Sequence, residues 1–344
     1  MRKLKALRQM VNHQVISYKA LNIVLAFGII VVGFTASMFG QVSLTFSQVI
    51  GGLFGQETTA INIIVQELRL PRILLGGICG AVLGYAGALL QGLLRNPLAD
   101  PGVIGVSASA SLGAVVAIYF GLSVYSPFAV PIAAIMFALL ATVVLAVIAS
   151  RDTSILTLIL AGVGISSIAA AGISLVMNFA PQPMTLQEMI LWMMGSLENR
   201  GFNDLYLSLP FVLVGLVLVL GVGNSLNALG LGEETAQSLG VNLKRLRLRI
   251  VGGVAFSVGA MVAVAGAIGF VGLVVPHFAR TMVGHEPKRV LVPSGLMGAI
   301  LIMIADILTR LPFGQGQLRL GVVMGIIGAP MFLYVVLKTR SEMR

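Results

Sequence analysis

Ile73-Leu-Leu-Gly-Gly-Ile-Cys-Gly-Ala-Val-Leu-Gly-Tyr-Ala-Gly-Ala-Leu-Leu-Gln-Gly-Leu93 is a run of 21 residues without a charge. At the rise of an α-helix it is roughly 30 Å long, the thickness of the hydrocarbon core of a bilayer. Its apolar residues are continuous and do not alternate with polar ones, which excludes a barrel strand. Gly76, Gly80 and Gly84 recur every four residues, with Gly77 and Gly87 alongside. Such a stripe lets one helix backbone approach another closely. In lipid the backbone must satisfy its own hydrogen bonds, so this stretch reads as a membrane-spanning helix.

The rest of the chain has the same character. Of its 344 residues 58% are hydrophobic and 10% charged, and the mean hydropathy is +1.01. A soluble domain carries about 25% charged residues, so lipid must be the solvent for most of this surface. Ten candidate spans follow one another at 21–40, 73–93, 103–121, 127–149, 155–178, 205–229, 250–268, 270–283, 290–309 and 320–337. The expected fold is all-α and polytopic, one transmembrane domain over residues 21–338. A basic tail over 1–20 precedes it and a short tail over 339–344 follows it. The apolar run Leu21–Gly40 is longer than a signal-peptide core, so it reads as an uncleaved first span. The eighth span is short and holds Pro276, the pattern of a broken or re-entrant helix.

Charge placement sets the expected orientation. With ten spans and a cytoplasmic N-terminus, 17 of the 22 Lys and Arg residues fall on the cytoplasmic side. The other five, Arg69, Arg72, Arg200, Arg310 and Arg319, fall outside. This is the bias of the positive-inside rule, and it places both termini in the cytoplasm. The net charge of +10 therefore needs no nucleic-acid partner, and no basic stretch is interleaved with aromatics.

Catalytic signatures are absent from the sequence. It lacks H-E-x-x-H, G-x-S-x-G and the P-loop G-x-x-x-x-G-K-[ST]. His13, His277 and His285 are scattered, and Cys79 is alone in an apolar run, so no metal site or cofactor is expected. The chain is not expected to be an enzyme, and any ATP must be hydrolysed by a partner. Ion-coupled carriers place charge at membrane depth. Here Asp306 alone lies inside an apolar run, four residues before Arg310, and an i,i+4 pair explains both.

Two connecting segments stand out. Gly230–Arg249 holds Gly232, Glu233, Glu234, Ala236, Leu239 and Gly240. The two glutamates suit the first turn of a short helix, and Gly240 suits its left-handed cap. Such a helix would present Ala236 and Leu239 to a neighbour. The second, Arg95-Asn-Pro-Leu-Ala-Asp-Pro101, has prolines four apart and reads as a rigid turn.

These segments belong to an ordered series. Leu68-Arg-Leu-Pro-Arg72, Gln91, Arg95–Pro101 and Gly105-Val-Ser107 come first. Trp192-Met-Met-Gly-Ser-Leu197, Leu239-Gly-Val241 and Gly266-Ala-Ile-Gly-Phe-Val-Gly-Leu-Val-Val-Pro-His277 follow, then Ala305-Asp306, Arg310 and Gly328-Ala-Pro330. From about residue 21 to 338 the chain resembles the FecCD family of permeases, which import iron–siderophore complexes, haem and vitamin B12.

The resemblance implies the type II fold of ATP-binding-cassette importers, with ten spans per subunit. It implies a second permease subunit, identical or not, two cytoplasmic ATP-binding subunits, and a periplasmic or lipoprotein substrate-binding protein. It implies binding-protein docking at Arg69, Arg72 and Arg310, and a cytoplasmic gate at Asn96 and Leu98. ATPase coupling is implied for Gly232, Glu233, Glu234, Ala236, Leu239 and Gly240. An iron complex, a ferric siderophore or haem, is the expected cargo, with vitamin B12 or another chelate as the alternative. An ion-coupled secondary transporter is a more distant one. The sequence departs from the family before the last span, where many members carry Glu-Leu-Pro-x-Gly or Glu-Leu-x-x-Gly and this chain has Gln317-Leu-Arg-Leu-Gly321, with Gln for the acid. Arg319 thereby adds an outer charge that would tune the choice of partner or substrate.

Overall fold

A computed structural model describes residues 18–151, 155–311 and 318–342. Most of the basic N-terminal tail, the last two residues and Gln317 lie outside this set. In chain order the first elements are α1 (Tyr18–Met38), α2 (Phe46–Leu53), α3 (Thr59–Ile63), a π-helical turn (Ile64–Arg69) and α4 (Leu70–Leu93). A 3-10 turn (Pro101–Ile104) leads into α5 (Val106–Tyr119), α6 (Leu122–Tyr125), α7 (Ala129–Arg151), α8 (Ile155–Asn178) and α9 (Pro183–Met193). Next come α10 (Phe202–Val219), α11 (Val222–Gly230), α12 (Glu233–Ser238) and α13 (Leu243–Ala265). The chain closes with α14 (Val271–Val283), α15 (Pro287–Thr309) and α16 (Leu320–Glu342). The described residues contain no strand.

Seven of these helices are long and apolar enough to cross a membrane, α4 together with the turns that lead into it. Three shorter apolar stretches, Val106–Tyr119, Val271–Val283 and Leu320–Tyr334, fall where the remaining expected spans lie. At 13 residues α14 is roughly 20 Å long, too short for the hydrocarbon core alone. The non-helical stretch Gly266–Phe270 separates it from α13.

The sixth expected span, 205–229, is corrected. The helix stops at Val219, and Gly221 turns the chain with φ +76° before α11 resumes. Arg249 donates to the carbonyls of Leu218 (2.8 Å) and Leu220, satisfying groups the broken helix leaves open.

The glycine stripe explains the centre of the bundle. A Cβ on Gly80 would sit 2.1 Å from the carbonyl oxygen of Gly298, and one on Gly84 2.2 Å from that of Ser294. Residue numbers rise along α4 as they fall along α15, so the two helices run antiparallel with their backbones in contact. On Gly87 a Cβ would meet the Gly272 carbonyl of α14 at 2.2 Å. Helices α4 and α13 are the most buried spans, whereas α1 and α8 are peripheral. Ile23, Phe27 and Ile30 of α1 and Leu160, Ile168 and Leu175 of α8 face outward, which suits lipid and not water. In the last helix a Cβ on Gly321 would sit 2.2 Å from the Met194 carbonyl, whereas one on Gly325 would meet nothing within 4 Å.

Candidate functional site

Polar chemistry collects at the two ends of the bundle. Among the described residues, the buried charged ones are Arg69, Arg247 and Asp306. Between the ends the buried hydroxyls of Ser111, Thr142, Ser257 and Ser294 donate to carbonyls one turn back on their own helices.

At the first end α4 and α15 bring Arg72 and Asp306 together, and Arg310 lies one turn beyond Asp306. The Asp306 carboxylate is 2% exposed and lies between two guanidinia. Arg72 donates to its Oδ1 through Nε (3.0 Å) and Nη2 (2.8 Å), and to Thr309 Oγ1 at 3.2 Å. Arg310 donates to Oδ2 through Nε at 3.1 Å and also through Nη2. The expected i,i+4 pair is therefore present as half of a three-residue cluster.

Arg310 also donates to the carbonyls of Ala36 (2.8 Å) and Phe39 (3.3 Å). Arg69, swung inward by the π-helical turn, donates to those of Ser37 and Val42. Two arginines thus cap the C-terminal end of α1, whose last carbonyls have no partner within the helix. The three arginines that the resemblance assigns to docking therefore differ in how far they are engaged within the chain. Arg69 is buried as a whole residue and the Arg310 side chain is 6% exposed, while the Arg72 side chain remains 19% exposed. All three line one recess of about 1130 Å³, together with Glu67, Glu198 and Arg200.

Residues from the 192–201 loop were not marked by the motifs as interacting with the last helix. Leu320 and Gly321 donate their amides to the carbonyls of Gly195 and Met194, both at 3.0 Å. Arg319 pairs with Glu198 at 3.1 Å. Ser196 ties the same loop to Ala265 at 2.8 Å.

At the opposite end the 94–105 connection is a built turn. Asn96 Oδ1 accepts the Leu98 amide at 2.9 Å, and Asp100 caps the 3-10 turn by accepting from Gly102 at 2.9 Å. Gln91 Nε2 reaches over from α4 to donate to the Gly272 carbonyl (2.9 Å) and the Ala99 carbonyl (3.3 Å). Asn96 and Leu98 are left exposed.

Between α11 and α13, α12 forms where the two glutamates predict it. Gly232 opens it and Gly240, at φ +84°, closes it. The Val241 amide returns to the Ala236 carbonyl at 2.9 Å, the closing bond of a glycine cap. Ala236 is fully buried, which corrects the expectation that it faces outward with Leu239; Leu239 is 62% exposed. Glu233 pairs with Arg247 of α13 at 2.9 Å, while Glu234, Thr235, Gln237 and Ser238 face out. The result is a short handle with one face anchored and the other open.

The model of the FecCD transport family matches residues 28–338. The chain is 42% identical to the vitamin B12 import system permease protein of Vibrio cholerae, over 81% of this chain and 84% of that one. It is 32% identical to the hemin transport system permease protein of Yersinia pestis, over 91% and 94% respectively. A solved inward-facing ABC transporter described as of metal-chelate type superposes with a TM-score of 0.84 at 28% identity, covering 93% of this chain and 99% of that one.

Proposed function

Since this chain belongs to the FecCD transport family, we propose that it is the membrane-spanning permease of an ATP-binding-cassette importer that carries an iron complex, a ferric siderophore or haem, across the cytoplasmic membrane. The observation that carries the reading is the separation of its polar chemistry into two ends. An arginine-lined recess at one end suits an incoming protein, and an exposed handle at the other suits a motor. Among the described residues, no charged side chain is buried between them, so an ion-coupled carrier lacks its usual coupling group.

In this reading the arginine end faces outward and both termini are cytoplasmic. A substrate-binding protein docks on the recess that Arg69, Arg72 and Arg310 line. Two ATP-binding subunits hold the segment from Gly232 to Gly240. A second permease subunit completes the pathway, and the turn at Asn96 and Leu98 gates its cytoplasmic mouth. ATP binding and hydrolysis displace the handle, and because α12 is fastened to α13 through Glu233–Arg247, the displacement reaches a helix that spans the bundle. The bundle then exchanges outward for inward access as a two-state body. A pathway without fixed charge binds cargo weakly, which leaves recognition to the binding protein.

The test is uptake into proteoliposomes holding the permease, its ATP-binding subunits and its binding protein. ATP-dependent entry of a radio-iron siderophore or haem is the expected result. Uptake that follows an ion gradient without ATP overturns it. The 42% identity to a vitamin B12 permease favours cobalamin as the second reading. ATP-dependent entry of labelled cobalamin, with no uptake of iron complexes, would select it.

A further inference from the structure

We infer that Gln91 is a positioning residue of the 94–105 turn: its side-chain amide replaces the backbone amide that Pro276 removes from α14 and fastens the turn to the same point, so that turn and helix move as one body. The inference rests on the reading above that Asn96 and Leu98, on this turn, gate the pathway. It adds what fixes the turn in place.

Pro276 lies inside α14. In an α-helix each carbonyl accepts from the amide four residues on, and proline has no amide hydrogen to give. The carbonyl deprived in this way is that of Gly272. A buried carbonyl left open is costly, and in a membrane bundle a neighbouring helix commonly supplies the donor. Here the donor is Gln91, near the end of α4. Its Nε2 lies 2.9 Å from the Gly272 oxygen. Gln91 is only 3% exposed, so water competes poorly for the bond.

The same nitrogen lies 3.3 Å from the Ala99 carbonyl of the turn. A side-chain amide carries two hydrogens, so one serves α14 and the other the turn. Packing backs the polar tie. A Cβ on Gly272 would sit 2.7 Å from Pro101 Cδ and 2.9 Å from Asp100 Oδ2, and one on Gly87 would sit 2.2 Å from the Gly272 oxygen. Helix α4, the turn and the start of α14 therefore meet at a glycine that has no room for a side chain. Asp100 shapes the turn from within by accepting the Gly102 amide at 2.9 Å. Asn96 and Leu98 remain exposed, so the turn is held at its base and free at its tip.

The experiment uses the whole importer in proteoliposomes with its binding protein. It reads cargo delivered per ATP hydrolysed, and the probe is the labelled ferric siderophore, haem or cobalamin that the wild type imports. Gln91→Met keeps the length of the side chain and removes both donors. It is expected to lower cargo per ATP about fivefold while ATP hydrolysis persists. Pro276→Ala returns an amide to α14 for the Gly272 carbonyl. In the double variant the heat stability lost in Gln91→Met should return, but cargo per ATP should stay about fivefold below that of Pro276→Ala alone. If Pro276→Ala restores both, Gln91 only closes an open carbonyl, and the inference is overturned. Wild-type cargo per ATP in Gln91→Met overturns it as well. Should Gln91→Met not assemble, the double variant against Pro276→Ala decides, since both satisfy the Gly272 carbonyl and only one has the tie to the turn. If the wild type takes up none of the three probes with ATP, the permease reading itself fails and takes the inference with it.

Discussion

At the arginine end the acid is hidden and the cations line the surface: the Asp306 side chain is 3% exposed and that of Arg72 19%. At the handle end the arrangement is reversed, with the Arg247 side chain 3% exposed and that of Glu233 39%. In each case one buried ion anchors a partner of opposite sign that stays within reach of solvent. The more exposed member of the anchored pair is thus a guanidinium at one end and a carboxylate at the other. The two anchors differ in how much they hold. Asp306 joins three elements, since Arg72 is on α4 and Arg310 caps α1, whereas Arg247 joins only α13 to a helix of six residues.

The largest effect should come from removing the shared anchor. Asp306→Ala leaves two guanidinia facing each other in a poorly hydrated site. A buried pair broken from one side costs about 3–5 kcal/mol. The counterpart, Arg247→Met, keeps the volume and leaves a Glu233 that water can reach, so about 1 kcal/mol or less is expected. Unfolding in detergent, followed by heat or denaturant, measures both. Equal losses would show that the two ends are held alike, and the comparison would fail.

A middle-sized effect should separate the ends by function. Ala236 is the buried face of the handle, and Ala236→Leu overfills its seat at a cost of about 1–3 kcal/mol. Binding-protein affinity at the arginine end should stay at the wild-type value. ATP hydrolysis stimulated by that protein should fall several-fold, because the handle no longer seats on α13. Unchanged stimulation with a stable complex would mean that the handle does not transmit.

What could be read from the sequence follows from how far apart the partners are. The glycine stripe at Gly76, Gly80 and Gly84 is visible as a spacing, and the structure gives it a backbone to meet. Asp306–Arg310 is visible because four residues are one helical turn. Arg72–Asp306 is not, since it depends on the antiparallel register of two helices more than 230 residues apart, a register the glycines permit but do not specify. The break at Gly221 lies inside an apolar run, where nothing distinguishes a left-handed glycine from a packed one. The inward face of Ala236 was misread because α12, at six residues, is too short for a periodicity to mark its buried side. The capping roles of Arg69 and Arg310 are tertiary as well: their acceptors are carbonyls of α1 and of the loop after it.

The smallest effect probes the link between the recess and the last helix. Glu198 and Arg319 are 28% and 25% exposed, and a pair this open contributes about 0.2–1 kcal/mol. Its value to the protein would be positional. The same loop accepts the amides of Leu320 and Gly321, and it carries Arg200 two residues beyond Glu198. A movement of this loop can therefore pass to the start of α16 through both the backbone bonds and the ion pair. A double-mutant cycle of Glu198→Gln and Arg319→Gln should give a small coupling in stability. The same cycle, read as binding-protein-stimulated ATP hydrolysis at saturating binding protein, should give a larger one. Should the two couplings agree within error, the pair is only a surface contact. A larger functional coupling would make Arg319 part of how this chain senses its partner.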